Sequence, residues 1–339
     1  MATAPIEPTE ERTAPAGLRF VADCDPGFTR VRRGKGFSYH YPDGKVVTEP
    51  DMVHRLASVG LPPAYHDCWY CMEPDGHIQA TGFDERGRKQ YRYHPDYRAG
   101  QEAEKFSRCA SFGDALPRLR KKVAADLRKR SLNRDRAIAA VIRLLDEGKL
   151  RIGNSQYARS NGSYGASTLL RRHAKPDGRG IRLRFRAKSG KDRDMLVTDA
   201  SLFRFVRDVS DLSGQRLFQY IDDAGAVHSV GSQDVNDYIR NAMGEAFTAK
   251  HFRTFGASVI AFAELVRADG PITVKAMVTP VAEMLGNTPT IARQSYVHPA
   301  LIDLCGTDPK SLAKLRKLPR RSRWLTREER GLIGYLQSL

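Results

Sequence analysis

Over its first hundred residues the chain alternates hydrophobic and polar positions in short runs separated by turn signals. Residues 36–41 alternate in this way and end at residues 42–45 (PDGK), a turn sequence. A short helix is predicted at residues 50–58, where Gly60 ends it. Further strands are predicted at residues 67–72, 77–83 and 88–94. This pattern is typical of a small β-rich domain.

From about residue 99 the apolar positions recur with helical spacing instead. Three predicted helix faces comprise Leu116, Leu119, Val123 and Leu127; Ile138, Val141, Ile142 and Leu145; and Phe252, Phe255, Val259, Phe262 and Val266. We expect Gly148 to cap the second of these helices, and Gly286 to end a further helix over residues 274–285. Thr326 opens a capping box for a last helix.

One β-hairpin interrupts the helical part. Residues 181–186 (IRLRFR) alternate strictly, residues 187–192 (AKSGKD) form the turn, and residues 195–197 return. The predicted fold class is α+β, with a small β-rich N-terminal domain over residues 18–98. A larger, mainly helical domain with the hairpin follows over residues 99–339, and residues 1–17 are predicted to be a disordered tail.

The net charge of the chain restricts the range of possible functions. Lysine and arginine number 56 against 39 acidic residues, a formal net charge of +17, which indicates a polyanionic partner such as DNA or RNA. A hydrophobic content of 41% argues against disorder, although a merely soluble basic protein would share this charge. No apolar run is long enough for a bilayer, no secretory signal is evident, and five scattered cysteines fit a reducing compartment. We therefore expect a cytoplasmic protein.

Cys68 and Cys71, with His66 and His77 nearby, have the spacing of two zinc ligands. No second pair of cysteines or histidines follows at zinc-finger spacing. The aromatic and apolar neighbours favour a buried strand, in which cysteine is a small hydrophobic residue. No metal site is predicted.

A tyrosine between a helical pattern and a proline is the most informative candidate for chemistry. Tyr296 lies on a short polar segment ahead of Pro299. A tyrosine that attacks a phosphodiester needs cations to offset its pKa of about 10, preplaced donors for the phosphate oxygens, and a general acid for the leaving group. The candidates are Arg151 and Arg253, Lys188 at the hairpin tip, and Asn287 as a neutral donor. Gly256 is expected to leave room for a ligand, and each residue alone also fits an ordinary surface role.

Basic and aromatic residues interleave on the predicted strand at residues 88–94. Tyr91 and Tyr93 share one face, and Gln90, Arg92 and His94 share the other. Such a strand can lie against a phosphate backbone. An ordinary amphipathic strand would show the same pattern.

Five motifs in one order resemble those of the type IB DNA topoisomerases, of the compact kind found in poxviruses and some bacteria. They are similar to the family's G-R-x-Q-Y-x-Y strand, its RIG…Y…GxxTL segment, its F-x-G-K hairpin, its K-x-x-R-T-[FY]-G box and its tyrosine segment. They lie at residues 87–93, 151–169, 185–188, 250–256 and 287–296. The resemblance covers residues 36–299.

The resemblance implies a role for each matched residue. Tyr296 would be the nucleophile, Arg151 and Arg253 would hold the scissile phosphate, and Lys188 would be the general acid. Asn287 stands where many members carry histidine, and Ala187 stands where glycine is usual, which leaves Lys191 as a competing general acid. The implied DNA contacts are Arg88, Gln90, Tyr91, Tyr93, Tyr157, Lys191 and Lys250.

The resemblance also implies a reaction without ATP, metal or other cofactor. One strand of supercoiled duplex DNA is cut to a 3′-phosphotyrosyl intermediate, swivels and is resealed. The expected enzyme is a monomer that clamps around the duplex in the bacterial nucleoid.

The sequence alone leaves two alternative functions open. Residues 282–298 also fit a tyrosine recombinase, although that family's box begins with histidine where this chain has Lys250, and the β-rich domain does not fit it. A DNA-binding protein without catalytic activity would show the same net charge.

Overall fold

The computed structural model describes residues 17–244, 247–308 and 310–339. The chain divides into two compact units, Met1–Glu104 and Lys105–Leu339, whereas the sequence places the boundary a few residues earlier, at residue 98. Apart from Gly17, the predicted N-terminal tail lies outside the described residues. None of the helices described is long and apolar enough to cross a membrane.

The first unit is built on an antiparallel sheet of five strands in the order β2-β1-β3-β4-β5. The strands are β1 (Gly27–Arg33), β2 (Gly36–His40), β3 (His66–Cys71), β4 (Ile78–Phe83) and β5 (Lys89–Tyr93), and helix α1 spans Pro50–Ser58. The structure confirms the predicted helix and four of these strands. Strand β1 was not predicted, because in GFTRVRR only Gly27 and Phe28 are buried and no alternation is visible.

Aromatic side chains form the core of this unit. Phe28, Tyr39 and Tyr70 are buried together with Leu56 of α1. Cys68 and Cys71 lie on β3, and burial raises the pKa of both thiols. In the part of the chain that the structure describes, no group of three or more His, Cys, Asp or Glu residues is placed to hold a metal ion.

The second unit is mainly helical. Its helices are α2 (Pro95–Asp126, which begins before the boundary), α3 (Arg134–Gly148), α4 (Ser155–Asn161), α5 (Ala200–Asp208), α6 (Ser232–Met243), α7 (Ala249–Arg267), α8 (Val274–Leu285), α9 (Pro289–Ser295), α10 (Pro299–Ile302), α11 (Ala313–Arg316) and α12 (Arg327–Gln337). Its strands are β6 (Ala174–Asp177), β7 (Gly180–Arg186), β8 (Asp192–Val197), β9 (Gln219–Ile221) and β10 (Val227–Ser229). The α+β class is confirmed.

Helix α3 is central to this unit, since its residues 136–142 are all buried. The side chain of Asn133 caps its N-terminus by accepting a hydrogen bond from the backbone of Arg136. The prediction that Gly148 is the left-handed cap was wrong: Gly148 is the last helical residue, and Lys149 takes the left-handed conformation with φ of 48°. A Cβ on Gly148 would lie 2.8 Å from Cε of Met195, so a larger residue there would have to displace this side chain of the hairpin.

The predicted hairpin is confirmed. Strands β7 and β8 pair from Ile181 opposite Val197 to Arg186 opposite Asp192. A single 3₁₀ turn at Lys188–Gly190 closes them. A third strand, β6, pairs with β7; it was missed because it is four residues long and contains a proline.

The tyrosine segment is more regular than the sequence suggested. Helix α8 ends at Gly286 as predicted, with φ of 64°. The predicted polar segment after it contains the short helix α9, in which Thr288 caps the N-terminus and Pro289 occupies the first turn. Tyr296 is the residue that follows this helix.

Two helical glycines test how tightly the helices around α7 are packed. A Cβ on Gly113 of α2 would lie 2.6 Å from the Phe255 ring and 2.7 Å from Ile333, whereas a Cβ on Gly334 of α12 would meet nothing. We expect Gly113→Ala to lower the free energy of unfolding by about 1–2 kcal/mol, because overpacking outweighs helix propensity. Gly334→Ala should raise it by about 1 kcal/mol. Denaturant titration checks both, and equal stabilisation by the two would contradict the close packing.

Candidate active site

Residues from distant parts of the sequence hold Tyr296 in place. Its hydroxyl accepts a hydrogen bond from Nη2 of Arg151 at 3.3 Å. The backbone around it is fixed by Ser258 of α7, whose buried hydroxyl accepts from His298 N at 3.1 Å and donates to the Thr254 carbonyl at 3.0 Å, with the Tyr296 carbonyl 3.4 Å away. Lys105 donates to the carbonyl of Ser295 at 2.9 Å. The half-buried phenol therefore has a defined position.

Arg253 lies beneath the tyrosine. It is 4% exposed, and its guanidinium carbon is 4.8 Å from the centre of the Tyr296 ring. Nη1 donates to the carbonyl of Lys149 at 2.5 Å and Nη2 to that of Leu285 at 3.3 Å. Two neutral carbonyl groups therefore position this cation, and its charge stays available to an anion.

Asn287 joins the same group of side chains. Its Oδ1 accepts from Nη2 of Arg151 at 3.2 Å. Its Nδ2 is buried, as is Nε of Arg253, and neither has a hydrogen-bond partner among the described residues. Because buried donors without an acceptor are costly, both are suited to the oxygens of a bound phosphate.

The side chain of Lys149, whose carbonyl binds Arg253, belongs to a chain of ion pairs. Lys149 Nζ lies 3.3 Å from the Asp146 carboxylate, which Arg120 binds with two hydrogen bonds of 2.7 and 2.9 Å. Arg120 also binds Glu329 of α12 at 2.7 and 2.8 Å. Burial alone would raise the pKa of the Asp146 carboxyl, yet Lys149 and Arg120 lower it to about 2. The C-terminal helix is thereby connected to the support of Arg253.

The expectation that Gly256 leaves room for a ligand was wrong. A Cβ on Gly256 would lie 2.6 Å from Cδ and Cε of Lys149. The space above this glycine is thus filled by the aliphatic part of the Lys149 side chain.

The hairpin contributes the third basic group. Lys188 is exposed at the tip and lines the same concavity as Arg151 and Arg253. Lys191, the competing candidate, is exposed immediately before the returning strand and does not line that concavity.

Arg193 was missed by the sequence reasoning. It lies on β8, lines the same concavity, and donates to the carbonyls of Glu283 and Met284 at 3.2 and 2.7 Å. Burial and the neighbouring Arg151 lower its pKa. Arg193 belongs to none of the sequence motifs, because an arginine pattern was visible only on the outward face of β7. The one feature that could have identified Arg193 is its position opposite Phe185 in the hairpin register.

The predicted DNA contacts of the first unit lie on β5 and the turn before it. The rings of Tyr91 and Tyr93 are 43% and 40% exposed and stack at 6.0 Å with an interplanar angle of 14°. Arg88 and Gln90 both bind the Asp84 carboxylate, at 2.6 and 3.1 Å. The side-chain hydrogen bond from Arg88, with backbone hydrogen bonds from Arg88 and Arg86, lowers the pKa of Asp84 to about 2. Asp84 was not singled out from the sequence, although it orients both side chains.

The remaining predicted DNA contacts, Tyr157 and Lys250, lie apart from the concavity that Arg151, Arg253 and Lys188 line. Tyr157 of α4 is 48% exposed, and Lys250 is exposed in the first turn of α7. The structure thus brings Tyr296, Arg151, Arg253 and Asn287 into contact.

Comparisons with known proteins agree with this arrangement. Residues 94–303 match the family model of the eukaryotic DNA topoisomerase I catalytic core, and residues 36–84 match that of the bacterial DNA topoisomerase IB N-terminal domain. The DNA topoisomerase 1B of Acanthamoeba polyphaga mimivirus is 32% identical over 298 residues, which is 84% of this chain and 89% of that protein. The chain belongs to the type IB DNA topoisomerases.

A more distant relative shares part of the chain. The DNA topoisomerase 1 of Mycosarcoma maydis is 25% identical over 184 residues, 48% of this chain and 18% of that protein. The comparisons do not support the recombinase alternative, because both matching family models are those of topoisomerases.

The cations change the acidity of the tyrosine. Burial raises the pKa of Tyr296, but the charges of Arg253 and Arg151 outweigh it, and the pKa lies below its usual value. Burial and Arg151 also lower the pKa of Arg253 to about 10. Arg253 therefore remains charged at neutral pH, and both arginines stabilise the phenolate form of Tyr296.

Removing one cation should reverse this effect. We expect Arg151→Ala to raise the pKa of Tyr296, because a cation that stabilises the anionic phenolate is lost. The measurement is an ultraviolet titration of tyrosinate, with the Tyr296→Phe signal subtracted to isolate one residue. Arg159→Ala, which removes an exposed arginine of α4, should leave the pKa unchanged; an unchanged value in Arg151→Ala would refute the assignment.

Proposed function

We propose that this DNA topoisomerase works by transesterification to Tyr296. The Tyr296 oxygen bonds to the scissile phosphorus while the bond from phosphorus to the 5′-oxygen breaks. The phenolic proton passes to solvent, and a general acid protonates the 5′-oxygen. The observation that carries this proposal is the contact of the Tyr296 hydroxyl with Arg151, beside a second arginine whose charge no carboxylate neutralises in the described residues.

Three neighbours would stabilise the transition state. Arg151 and Arg253 bind the non-bridging oxygens, where negative charge accumulates. Asn287 donates from Nδ2 to one of these oxygens. As a neutral amide it cannot transfer a proton, so its role is that of a donor only.

The energy of the broken bond is retained in the tyrosyl ester. Attack by the 5′-hydroxyl reseals the strand, so the reaction needs no ATP. Between cutting and sealing, the free end swivels and torsional stress in supercoiled duplex DNA is released. The fixed cations of the site supply the electrostatic stabilisation, so that no metal is required.

The first unit would hold the duplex. Its exposed Tyr91 and Tyr93, with Arg88 and Gln90 oriented by Asp84, suit contacts along a phosphate backbone. Tyr157, Lys191 and Lys250 are exposed on the second unit and suit further contacts. We propose that the two units act together as a clamp on the duplex, in a monomer that works in the bacterial nucleoid.

The nucleophile is tested by relaxation of a supercoiled plasmid in the presence of EDTA and the absence of ATP. We expect the wild-type protein to relax the plasmid and, after denaturant quenching, to carry labelled DNA through a 3′-phosphate. Tyr296→Phe should lose both activities while it still binds duplex DNA.

Tyr220→Phe, on β9, is the matched control and should behave as wild type. An adduct formed by Tyr296→Phe would show that another residue is the nucleophile. Activity restricted to paired specific sites would contradict a relaxing enzyme.

The general acid is tested with a 5′-bridging phosphorothiolate. Lys188→Ala should slow cleavage of ordinary DNA by about 10²- to 10⁴-fold, because Lys188 lines the concavity of the two arginines. A sulfur leaving group needs little protonation, so the phosphorothiolate should restore the rate. Rescue of Lys191→Ala in place of Lys188→Ala would assign the proton to Lys191.

A further inference from the structure

Arg193 occupies a position of the hairpin at which the pattern of β7 and β8 calls for an apolar side chain. It lies opposite Phe185 in the register, and cross-strand partners share one face of a sheet. The other members of that face are Ile181, Leu183, Phe185, Met195 and Val197. Apart from Met195, which packs against the core, these neighbours are buried. Arg193 is thus a charged residue on the inward face of the hairpin.

The surroundings of Arg193 oppose its charge. Burial and the neighbouring Arg151 lower its pKa. The adjacent Asp194 pairs with Arg182 and Arg184 instead. Among the described residues, no carboxylate lies within 4.0 Å of the Arg193 guanidinium. A partly buried charge at such a position requires other polar partners.

The last turn of α8 supplies these partners. Nη1 of Arg193 donates to the carbonyl of Glu283 at 3.2 Å, and Nη2 donates to that of Met284 at 2.7 Å. The carbonyl of Leu285 accepts from Arg253. A helix leaves its last four carbonyls without partners of its own. Side chains from β8 and α7 bind three of them here.

The Arg193 side chain reaches these carbonyls by passing directly over Gly286. A Cβ on Gly286 would lie 2.8 Å from Nη1 and 3.2 Å from Cδ of Arg193. Gly286 also has a left-handed backbone, with φ of 64°, which favours glycine. The cap of α8 therefore combines the turn of the chain with a closely packed contact to the hairpin.

This contact joins the two segments that carry the proposed chemistry. Lys188 lies in the turn of the hairpin, which the backbone of Ala187 closes by donating to the carbonyl of Lys191 at 2.7 Å. On the other side, Asn287 follows the cap of α8, and α9 then leads to Tyr296. Movement of β8 away from α8 would therefore change the distance between the two segments.

We propose that Arg193 is a positioning residue that holds the hairpin against the end of α8 and thereby fixes Lys188 relative to Tyr296 before DNA binds. The inference rests on the proposed function, in which Lys188 protonates the leaving 5′-oxygen. The planar guanidinium suits this role, because its fork of donors reaches two carbonyls at once. A general acid that is held in place avoids the loss of rate that a small displacement causes.

The first test replaces Arg193 without removing its stem. Arg193→Met keeps an unbranched side chain over Gly286 and suits an inward-facing strand position, so the hairpin should still fold. We expect single-turnover cleavage of ordinary duplex DNA to slow by about 10- to 100-fold. A 5′-bridging phosphorothiolate should restore most of the rate, because the loss concerns protonation of the leaving group. Equal losses on both substrates would overturn the proposal, since Arg193 would then act on the phosphate or on stability.

A double variant tests whether Arg193 acts through Lys188. Arg193→Met combined with Lys188→Ala should cleave ordinary DNA at most about threefold more slowly than Lys188→Ala alone. The reason is that a positioning residue has no further effect once the group that it positions is gone. Losses that multiply would show an independent role of Arg193 and contradict the proposal.

Two single variants separate geometry from charge. Arg193→Lys keeps the charge but presents one nitrogen in place of a fork, so we expect it to be nearly as slow as Arg193→Met. Wild-type cleavage by Arg193→Lys would show that charge alone suffices, against the proposal. The matched control is Arg184→Ala, which removes an exposed arginine of β7 that pairs with Asp194. It should cleave as the wild type does.

Hydrogen–deuterium exchange of the DNA-free protein tests the contact apart from the chemistry. If the phosphorothiolate does not rescue Lys188→Ala, the proposed function loses its general acid, yet exchange still decides whether Arg193 holds the hairpin. We expect amide exchange over residues 187–193 to rise about tenfold in Arg193→Met, because the hairpin opens more often. Exchange should stay unchanged in Arg184→Ala. Unchanged exchange in Arg193→Met would refute the inference.

Discussion

The active site depends on how a buried, permanently charged guanidinium is held. Arg253 donates to the carbonyls of Lys149 and Leu285, which belong to the ends of α3 and α8. Terminal carbonyls of a helix lack partners within it and carry the negative end of its dipole. They stabilise the cation without neutralising it. Arg193 is held by α8 in the same way, so the C-terminus of this helix holds two arginines that line the same concavity.

The partly buried Arg120 shows the opposite arrangement. Two carboxylates, those of Asp146 and Glu329, bind it from both sides, so its charge is cancelled and its role is to join helices. The contrast separates a structural arginine from a functional one by the kind of acceptor that each contacts. It also explains why the network matters to the site, because Asp146 fixes Lys149 and the carbonyl of Lys149 fixes Arg253.

Elements with strong local patterns were predictable. The hairpin with strands β7 and β8, the helix at residues 50–58 and the stop at Gly286 each follow from residues close in sequence. The predictions that were wrong concern features that depend on contacts between residues distant in sequence. Gly148 packs against Met195 of the hairpin, and the Lys149 side chain lies over Gly256; Lys149 takes the left-handed conformation in place of Gly148. Four residues named from the motifs, Tyr296, Arg151, Arg253 and Asn287, lie in contact, whereas Arg193, which no motif includes, contacts α8 only after folding.

Asn287 fits the electrostatics of this site. Its amide oxygen accepts from Arg151, and its amide nitrogen remains a buried donor. An imidazole there would have to be protonated to offer two donors, close to the guanidinium groups of Arg151, Arg253 and Arg193. Their repulsion would lower its pKa and oppose that charge. Where three arginines already converge, a neutral amide can serve in the proposed role of phosphate donor without adding a fourth like charge, which is a physical reason for asparagine at this position.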